Sequence, residues 1–202
     1  MPPFNAARRD RLADAAIELL AREGARGLTH RAVDAEAGEP SGTTSRYFRT
    51  RDALMRGVVE RIAALHFADL ERAPRAPVEE SALAGHLASL VHQGITGNRT
   101  RQIAVTELFL ESTRRPDLHA LMAETRTAQI QLMRRIHAAA GVELTTHEAA
   151  LLVTAITGLI MVALTTPEAI GMRSPDDVRE LALETINRVR GTAPALRSAR
   201  PA

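Results

Sequence analysis

A short polar segment near the N-terminus holds the residues best suited to chemistry. It reads Pro40-Ser41-Gly42-Thr43-Thr44-Ser45-Arg46-Tyr47-Phe48. Small hydroxyl side chains at the start of a helix can lie close to phosphates, and the backbone N–H groups there attract anions. An arginine on the same short helix can reach phosphates or the base edges of a major groove. The segment therefore favours recognition of nucleic acid.

Recognition of this kind needs a rigid support, and the surrounding sequence supplies one. The helical period predicts a first helix from about Ala6 to Glu23. Thr29 fits the N-cap of a short second helix that ends at Gly38, and a third short helix covers Thr43 to Phe48. A long fourth helix begins at Asp52. The second and third helices, with the turn between them, are typical of a helix-turn-helix held by the apolar faces of the first and fourth.

The rest of the chain also repeats at the helical period, and no segment alternates as a strand does. Pro74 and Pro77 mark the clearest boundary, and five more helices follow them. Thr145 and Glu148 form a capping box before a very apolar helix, and Pro175 opens the last helix. We predict an all-α fold of about nine helices: an N-terminal, three-helix domain with a helix-turn-helix, then a C-terminal helical bundle. The predicted parts are residues 1–51 (helix-turn-helix domain), 52–75 (connecting helix), 76–191 (bundle) and 192–202 (disordered tail).

The composition excludes several classes of protein. The chain has no cysteine, which rules out disulfide scaffolds, thiolate metal sites and cysteine nucleophiles. Its net charge is only +2, so the overall charge says little about a nucleic-acid partner. The N-terminal residues hold no apolar stretch typical of a secretory signal, and the apolar run Ala149 to Leu164 is shorter than the roughly 20 residues of a membrane-spanning helix. We therefore expect a cytoplasmic protein with no membrane partner.

The motif around the third helix resembles the DNA-binding domain of the tetracycline-repressor (TetR) family of bacterial regulators. The family pattern is matched by Leu28-Thr29, Ala37-Gly38, Gly42-Thr43, Tyr47-Phe48 and Arg51. The run Pro-x-Gly-Thr-Thr-Ser-x-Tyr-Phe is similar to a subgroup common in actinobacteria. The motif resemblance covers about residues 8–56, and the remainder matches in the number, order and length of its helices. It implies a ligand-responsive transcriptional regulator: a repressor released from a palindromic DNA operator by a small apolar or amphiphilic effector, with activation left open.

The resemblance also implies which residues meet double-stranded DNA. It places Thr29 at the cap of the second helix and on phosphate, and Arg51 on phosphate. It places Arg31 on the exposed side of the second helix, where some relatives have a base-contacting arginine. The residues that should face the groove are Ser41, Thr43, Arg46 and Tyr47. The full set is Thr29, Arg31, Ser41, Thr43, Ser45, Arg46, Tyr47 and Arg51. Packing beside Phe48 explains Tyr47 equally well, and solvated surface is the alternative for both Arg31 and Arg51.

Three residues depart from the family pattern. Arg46 is larger and more basic than the asparagine expected in the subgroup. Ser45 stands where a tyrosine often contacts phosphate, which weakens the transfer of that contact. Glu39 stands where the family usually has a buried valine. The sequence leaves two explanations for Glu39, since its side chain either points to solvent or pairs with a nearby arginine.

The predicted C-terminal bundle would have two tasks. By the resemblance, its last two helices pair with those of a second copy to form a homodimer, and its middle helices enclose a small-molecule pocket. The helix from Glu148 to Leu164 is apolar nearly all round, so one side needs a partner beyond its own domain. The pocket candidates are polar residues and apolar lining residues of the bundle, and core packing or surface exposure explains each of them as well. They are His86, His92, Glu107, Phe109, Glu111, Met122, Arg126, Gln129, Met133 and Met161.

Two other classes of function compete with this interpretation. A helical enzyme is disfavoured because the seven histidines show no His-x-x-x-His spacing and no nucleophile elbow or phosphate-binding glycine loop occurs. No catalytic residue, metal site or cofactor is predicted. An interaction module or membrane-surface protein, without DNA binding, would use the helix at residues 149–164. Retention on DNA and size-exclusion chromatography would separate these classes.

Overall fold

A computed structural model describes residues 5–71 and 80–197. Within these ranges the chain forms nine α-helices, a 3-10 helix at Pro167–Ile170 and no strand, so the predicted all-α fold is confirmed. The helices are α1 (Ala6–Gly27), α2 (His30–Glu36), α3 (Thr43–Tyr47), α4 (Arg51–Glu71), α5 (Glu80–Thr96), α6 (Arg99–Ser112), α7 (Pro116–Ala139), α8 (Thr146–Thr165) and α9 (Pro175–Arg197). Pro74 and Pro77, on which the predicted domain boundary depended, lie outside the described residues.

The helices form two compact units. The first comprises residues 5–66 and 100–125, and the second comprises 67–71, 80–99 and 126–197. This division differs from the predicted one at residues 51 and 75. The reason is packing, because apolar residues of α4 and α6 enter the same core as those of α1 to α3.

The core of the first unit begins with one face of α1. Leu12, Ala16 and Leu20 of that face are fully buried. They meet Leu54 of α4 and Leu108 of α6, whose side chains are also buried. Burying a leucine of this kind stabilises the fold by about 1.5–3 kcal/mol relative to exposure. The core therefore gives the short helices α2 and α3 a rigid base.

The end of α1 differs from the prediction. The helix does not stop at Glu23 but bends at Gly24, whose φ of 68° lies in the left-handed region, and then continues to Gly27. A residue with a side chain is strained at this φ, and glycine is not. The glycine therefore produces a kink rather than an end.

The second unit packs α5, α8 and α9 around its own core. Val178, Ala182 and Ile186, which recur at the helical period along α9, are fully buried. The predicted capping box of α8 is confirmed, because Glu148 N donates to Thr145 Oγ1 (3.2 Å) and Thr145 N donates to the Glu148 carboxylate (2.7 Å).

The last helix is longer than the sequence suggested. It continues to Arg197, whereas the prediction ended it at residue 191 and placed a disordered tail from 192 onward. The predicted end was Gly191. An isolated glycine inside a helix costs only about 1 kcal/mol relative to alanine, so it does not by itself end the helix. Residues 198–202 of the predicted tail lie outside the described residues.

Helix α8 is apolar over most of its surface. Of the helices in the described ranges, it alone is long and apolar enough to cross a membrane, and 22% of its apolar window is buried. The helix is longer than the apolar run in the sequence, because α8 extends from Thr146 to Thr165. Leu151 and Met161 on this helix are 42% and 38% exposed.

Candidate nucleic-acid interface

The turn between α2 and α3 is held by one buried carboxylate. Gly42, the N-cap residue of α3, has no side chain to cap the helix. Asp34 of α2 supplies the missing acceptor: its carboxylate accepts from Gly42 N (2.7 Å), Thr44 N (2.6 Å) and Thr44 Oγ1 (2.5 Å). Asp34 is only 3% exposed. It therefore fixes where α3 begins relative to α2.

The electrostatics of Asp34 follow from these contacts. Burial alone would raise its pKa, but the hydrogen bonds from Thr44 and Gly42 outweigh that effect and lower the pKa below its ordinary value. The carboxylate is therefore ionised at neutral pH. A negative charge at the N-terminus of α3 also interacts favourably with the helix dipole.

The far end of α3 is fixed by Phe48. Its ring is 2% exposed, and its carbonyl accepts a hydrogen bond from His30 Nε2 of α2 (2.6 Å). The guanidinium of Arg9 lies 5.1 Å from the ring centroid. On the α4 side the ring packs directly against Gly57, where an added Cβ would lie 2.3 Å from Phe48 Cε1. Both ends of α3 are thus held by packed or hydrogen-bonded groups.

Five of the predicted DNA-contacting residues are exposed on this rigid pair of helices. They are Thr29, Arg31, Ser41, Ser45 and Arg46. Thr29 also has its predicted capping role, because its hydroxyl oxygen accepts from Ala32 N (3.2 Å). Hydroxyl and guanidinium groups in this arrangement can donate to phosphates and to base edges.

The three other predicted DNA contacts have structural roles. Thr43 is buried, and its hydroxyl donates to the carbonyl of Pro40 (2.6 Å). This hydrogen bond closes the turn before α3. Tyr47 is half-buried and packs against the core, which agrees with the alternative explanation for it.

Arg51 is the third of these residues. Its guanidinium donates to the carbonyls of Leu28 (3.0 Å) and Ala25, which lie at the unpaired C-terminal end of α1. Arg51 is exposed, and these two hydrogen bonds favour a structural role for it over the expected contact with phosphate.

The departure at Glu39 has a clear explanation. Its carboxylate oxygen Oε1 accepts from Arg8 Nε (3.1 Å) and Arg11 Nη2 (3.2 Å), both on α1. Of the two explanations that the sequence left open, pairing with a nearby arginine is the one that the structure has.

Sequence reasoning did not identify Asp34 or the two arginines of α1. A signal for Asp34 was present, because a helix that begins with glycine needs a capping acceptor from elsewhere. Which of the nearby acidic residues supplies it depends on how α2 and α3 cross. For Arg8 and Arg11 the sequence alone gives no comparable signal.

The ten pocket candidates are distributed over both units. Glu107, Phe109, Glu111 and Met122 belong to the first unit, and the other six belong to the second. Glu111 pairs with Arg114 (2.7 Å), and Met133 is a core residue at 3% exposure. A cavity of about 460 Å³ in the first unit, at Met55, Arg56 and Leu118, is lined by none of the ten.

Three candidates in the second unit have distinctive electrostatics. Arg126 of α7 donates from Nη1 to Thr157 Oγ1 of α8 (2.8 Å), and burial lowers the pKa of Arg126. Burial likewise lowers the pKa of His86, which favours the neutral imidazole. His92 Nε2 lies 3.6 Å from the carboxylate of Asp176. No group of three or more metal-ligating side chains occurs among the residues that the structure describes.

Comparison with known proteins places this geometry in a family. The model of bacterial regulatory proteins of the tetR family matches residues 12–58, and that of the tetracyclin repressor-like C-terminal domain matches residues 78–191. A search of the curated proteins gave no match.

Solved structures agree with the family models. The multidrug binding protein EbrR complexed with ethidium is 30% identical with a TM-score of 0.69, and the match covers 92% of this chain and 99% of that one. EbrR complexed with imidazole is 32% identical with a TM-score of 0.68, covering 92% and 90%. A TetR-family member from Streptomyces coelicolor A3 is 29% identical with a TM-score of 0.67, covering 89% and 98%. The chain therefore belongs to the tetR family of bacterial regulatory proteins and is a DNA-binding transcriptional regulator with a helix-turn-helix.

Proposed function

We propose that this regulator is a cytoplasmic repressor that binds a palindromic operator as a homodimer and leaves it when a small apolar or amphiphilic effector binds. The observation that carries the proposal is the capped helix α3. It presents Ser45 and Arg46 to solvent, with Ser41 exposed in the preceding turn, while Asp34 and Phe48 hold its two ends. A rigid, exposed helix of this kind suits entry into a major groove.

The proposed DNA contacts divide into two kinds. Arg46 is the candidate for reading base edges, because a guanidinium can donate two hydrogen bonds to guanine. Arg31 and Ser41 are further candidates for the groove. Thr29 and Ser45 are candidates for the phosphate backbone, where contacts set register but carry no sequence information.

The proposed dimer uses α8 and α9. Support comes from the exposed apolar side chains of α8, Leu151 and Met161, which need a cover in water. A second copy of the same surface would provide that cover by two-fold symmetry. The helix-turn-helix of each copy would then bind one half-site of a palindrome. Size-exclusion chromatography without detergent should give a dimer, whereas aggregation that only lipid vesicles relieve would favour a membrane-surface role for α8.

The proposed effector is a small apolar or amphiphilic molecule. Support comes from EbrR, which has been solved with ethidium, imidazole, proflavin and malachite green. In this chain the contact between Arg126 and Thr157 would offer a polar group between α7 and α8. A pocket that combines apolar walls with a few polar groups is typical of small-molecule sites.

Selection of bound fragments from genomic DNA tests the proposed function. The protein should enrich a small set of sequences with two-fold symmetry, and the affinity for them should fall steeply with added salt as counterions are released. Ethidium, proflavin or malachite green at saturation should weaken that binding. Enrichment of no sequence, or binding that is insensitive to salt, would contradict a role in operator recognition.

A further inference from the structure

Glu39 gathers two arginines at the turn between α2 and α3. Its side chain is only 10% exposed, and one of its carboxylate oxygens accepts from both Arg8 Nε and Arg11 Nη2, at 3.1 and 3.2 Å. The two arginines lie one helical turn apart on α1. The first turns of α1 are therefore attached to the turn that leads into α3.

The balance of charge in this cluster is positive. Two guanidinium groups share a single carboxylate, and the arginine side chains are 44% and 55% exposed. Two other arginines, one on α1 and one packed against it, each pair with two carboxylates. Arg22 meets Glu23 and Glu36, and Arg61 meets Asp10 and Asp14. The cluster at Glu39 therefore exposes a surplus of cationic donors.

The backbone places this cluster beside α3. Glu39 N donates to the carbonyl of Asp34 (2.8 Å), the residue whose carboxylate caps α3. Ser41, which is exposed, follows two residues later. Phosphates line both edges of a major groove, so groups beside a helix that enters the groove face the DNA backbone.

We propose that Arg8 and Arg11 form a binding site for backbone phosphate, which Glu39 assembles. The inference rests on the proposed function, because the phosphate belongs to the duplex that α3 reads. A guanidinium has five N–H donors, and one from each arginine is used on Glu39. The remaining donors suit the oxygens of a phosphate group, which guanidinium groups bind with two parallel hydrogen bonds. Glu39 holds both side chains in position before DNA arrives.

The salt dependence of binding to a random-sequence duplex tests this site. Phosphate contacts are independent of sequence, and the slope of log K against log salt concentration is about −0.9 for each phosphate neutralised. The R8Q/R11Q variant should therefore have a slope shallower by about 1, and each single variant should show a smaller part of that change. The charge-preserving R8K/R11K variant should keep most of the wild-type slope. R22Q is the matched control, since Arg22 is an equally exposed, carboxylate-paired arginine of α1, and its slope should not change.

Melting temperatures of all variants, measured without DNA, separate a loss of fold from a loss of contact. If R8Q/R11Q melts early, the two single variants replace it in the comparison. A wild-type slope in the glutamine variants, or an equal fall in R22Q, would overturn the inference. Failure of the wild-type protein to bind any duplex at low salt would instead reject the proposed function, so the two failures are distinguishable.

Discussion

At the scale of single residues, Asp34 determines how the helix-turn-helix is arranged. It lies on α2, but its three hydrogen bonds end on Gly42 and Thr44 at the start of α3. Burial of a charge is unfavourable unless hydrogen bonds compensate for it, and here they do. The relative position of α2 and α3 therefore depends on an ionised side chain.

Replacing Asp34 with asparagine should lower the free energy of unfolding by about 2 kcal/mol, which is typical for hydrogen bonds to a charged acceptor. The folded pKa of Asp34 is lowered, so its contribution is complete above the unfolded pKa of about 4 and is lost as the pH falls through the folded pKa. Urea denaturation of both proteins over a series of pH values measures this. The difference between them should be full at about pH 7 and shrink below about pH 4. A difference that stays constant through the acid range would contradict the role of the charge.

At position 57 of α4, the packed ring of Phe48 leaves room only for glycine. An alanine Cβ at this position of α4 would lie 2.3 Å from Cε1 and 2.9 Å from Cζ of Phe48. Because the Phe48 ring is buried, it has little room to move. We expect Gly57→Ala to destabilise the protein by about 1–3 kcal/mol, although alanine is the better helix former.

Gly85→Ala is the matched control for this substitution. Gly85 lies inside α5, and an added Cβ there would meet no atom within 4 Å. The control should leave stability unchanged or raise it by up to about 1 kcal/mol. Thermal denaturation of both variants tests this prediction. Equal melting temperatures for Gly57→Ala and Gly85→Ala would show that the contact with Phe48 does not determine the residue at position 57.

At the scale of helices, local signals were sufficient where a cap or a stripe defines an element. The N-cap at Thr29, the capping box of α8 and the buried stripe of α9 all follow from residues a few positions apart. The end of α1 and the length of α9 did not follow, because glycine permits both a kink and a helix interior. The site showed the same limit, since the roles of Asp34, Glu39 and Arg51 depend on contacts between elements.

Arg51 joins two elements, and its replacement distinguishes that role from phosphate binding. Arg51→Met keeps the aliphatic stem but removes the donors to the carbonyls of Ala25 and Leu28. We expect the free energy of unfolding to fall by about 1 kcal/mol, since these carbonyls lose charged donors near the surface. The salt dependence of DNA binding should be unchanged. A slope that becomes shallower by about 0.9, with no loss of stability, would return Arg51 to the phosphate backbone.

At the scale of the whole molecule, the sequence predicts the site of the first unit more closely than it predicts a ligand pocket. The motif of the first unit is short and local, so its reading helices could be predicted closely. The pocket candidates were chosen by polarity on predicted helix faces, and they fall in both units. A pocket depends on which helices meet and at what angle, and residue spacing within one helix does not determine that.

The proposed dimer makes a prediction at the same scale. Leu151→Glu places a charge on the exposed apolar surface of α8, and a charge in the centre of an interface costs several kcal/mol when it is buried without a partner. Size-exclusion chromatography with light scattering should show a monomer. Leu110→Glu on α6 is the control, because Leu110 is also exposed, at 53%, and that variant should remain a dimer. Dissociation of both variants, or of neither, would contradict the assignment of the interface to α8.

The central claim is that α3 reads the sequence of duplex DNA, and the affinity of Arg46→Ala for two duplexes tests it most directly. One duplex carries the operator recovered by selection, and the other has a random sequence. Arg46 is exposed on α3, so its loss should weaken operator binding by about 1–3 kcal/mol and change binding to the random duplex far less. Equal weakening on both duplexes, or no weakening on either, would contradict base recognition by this helix.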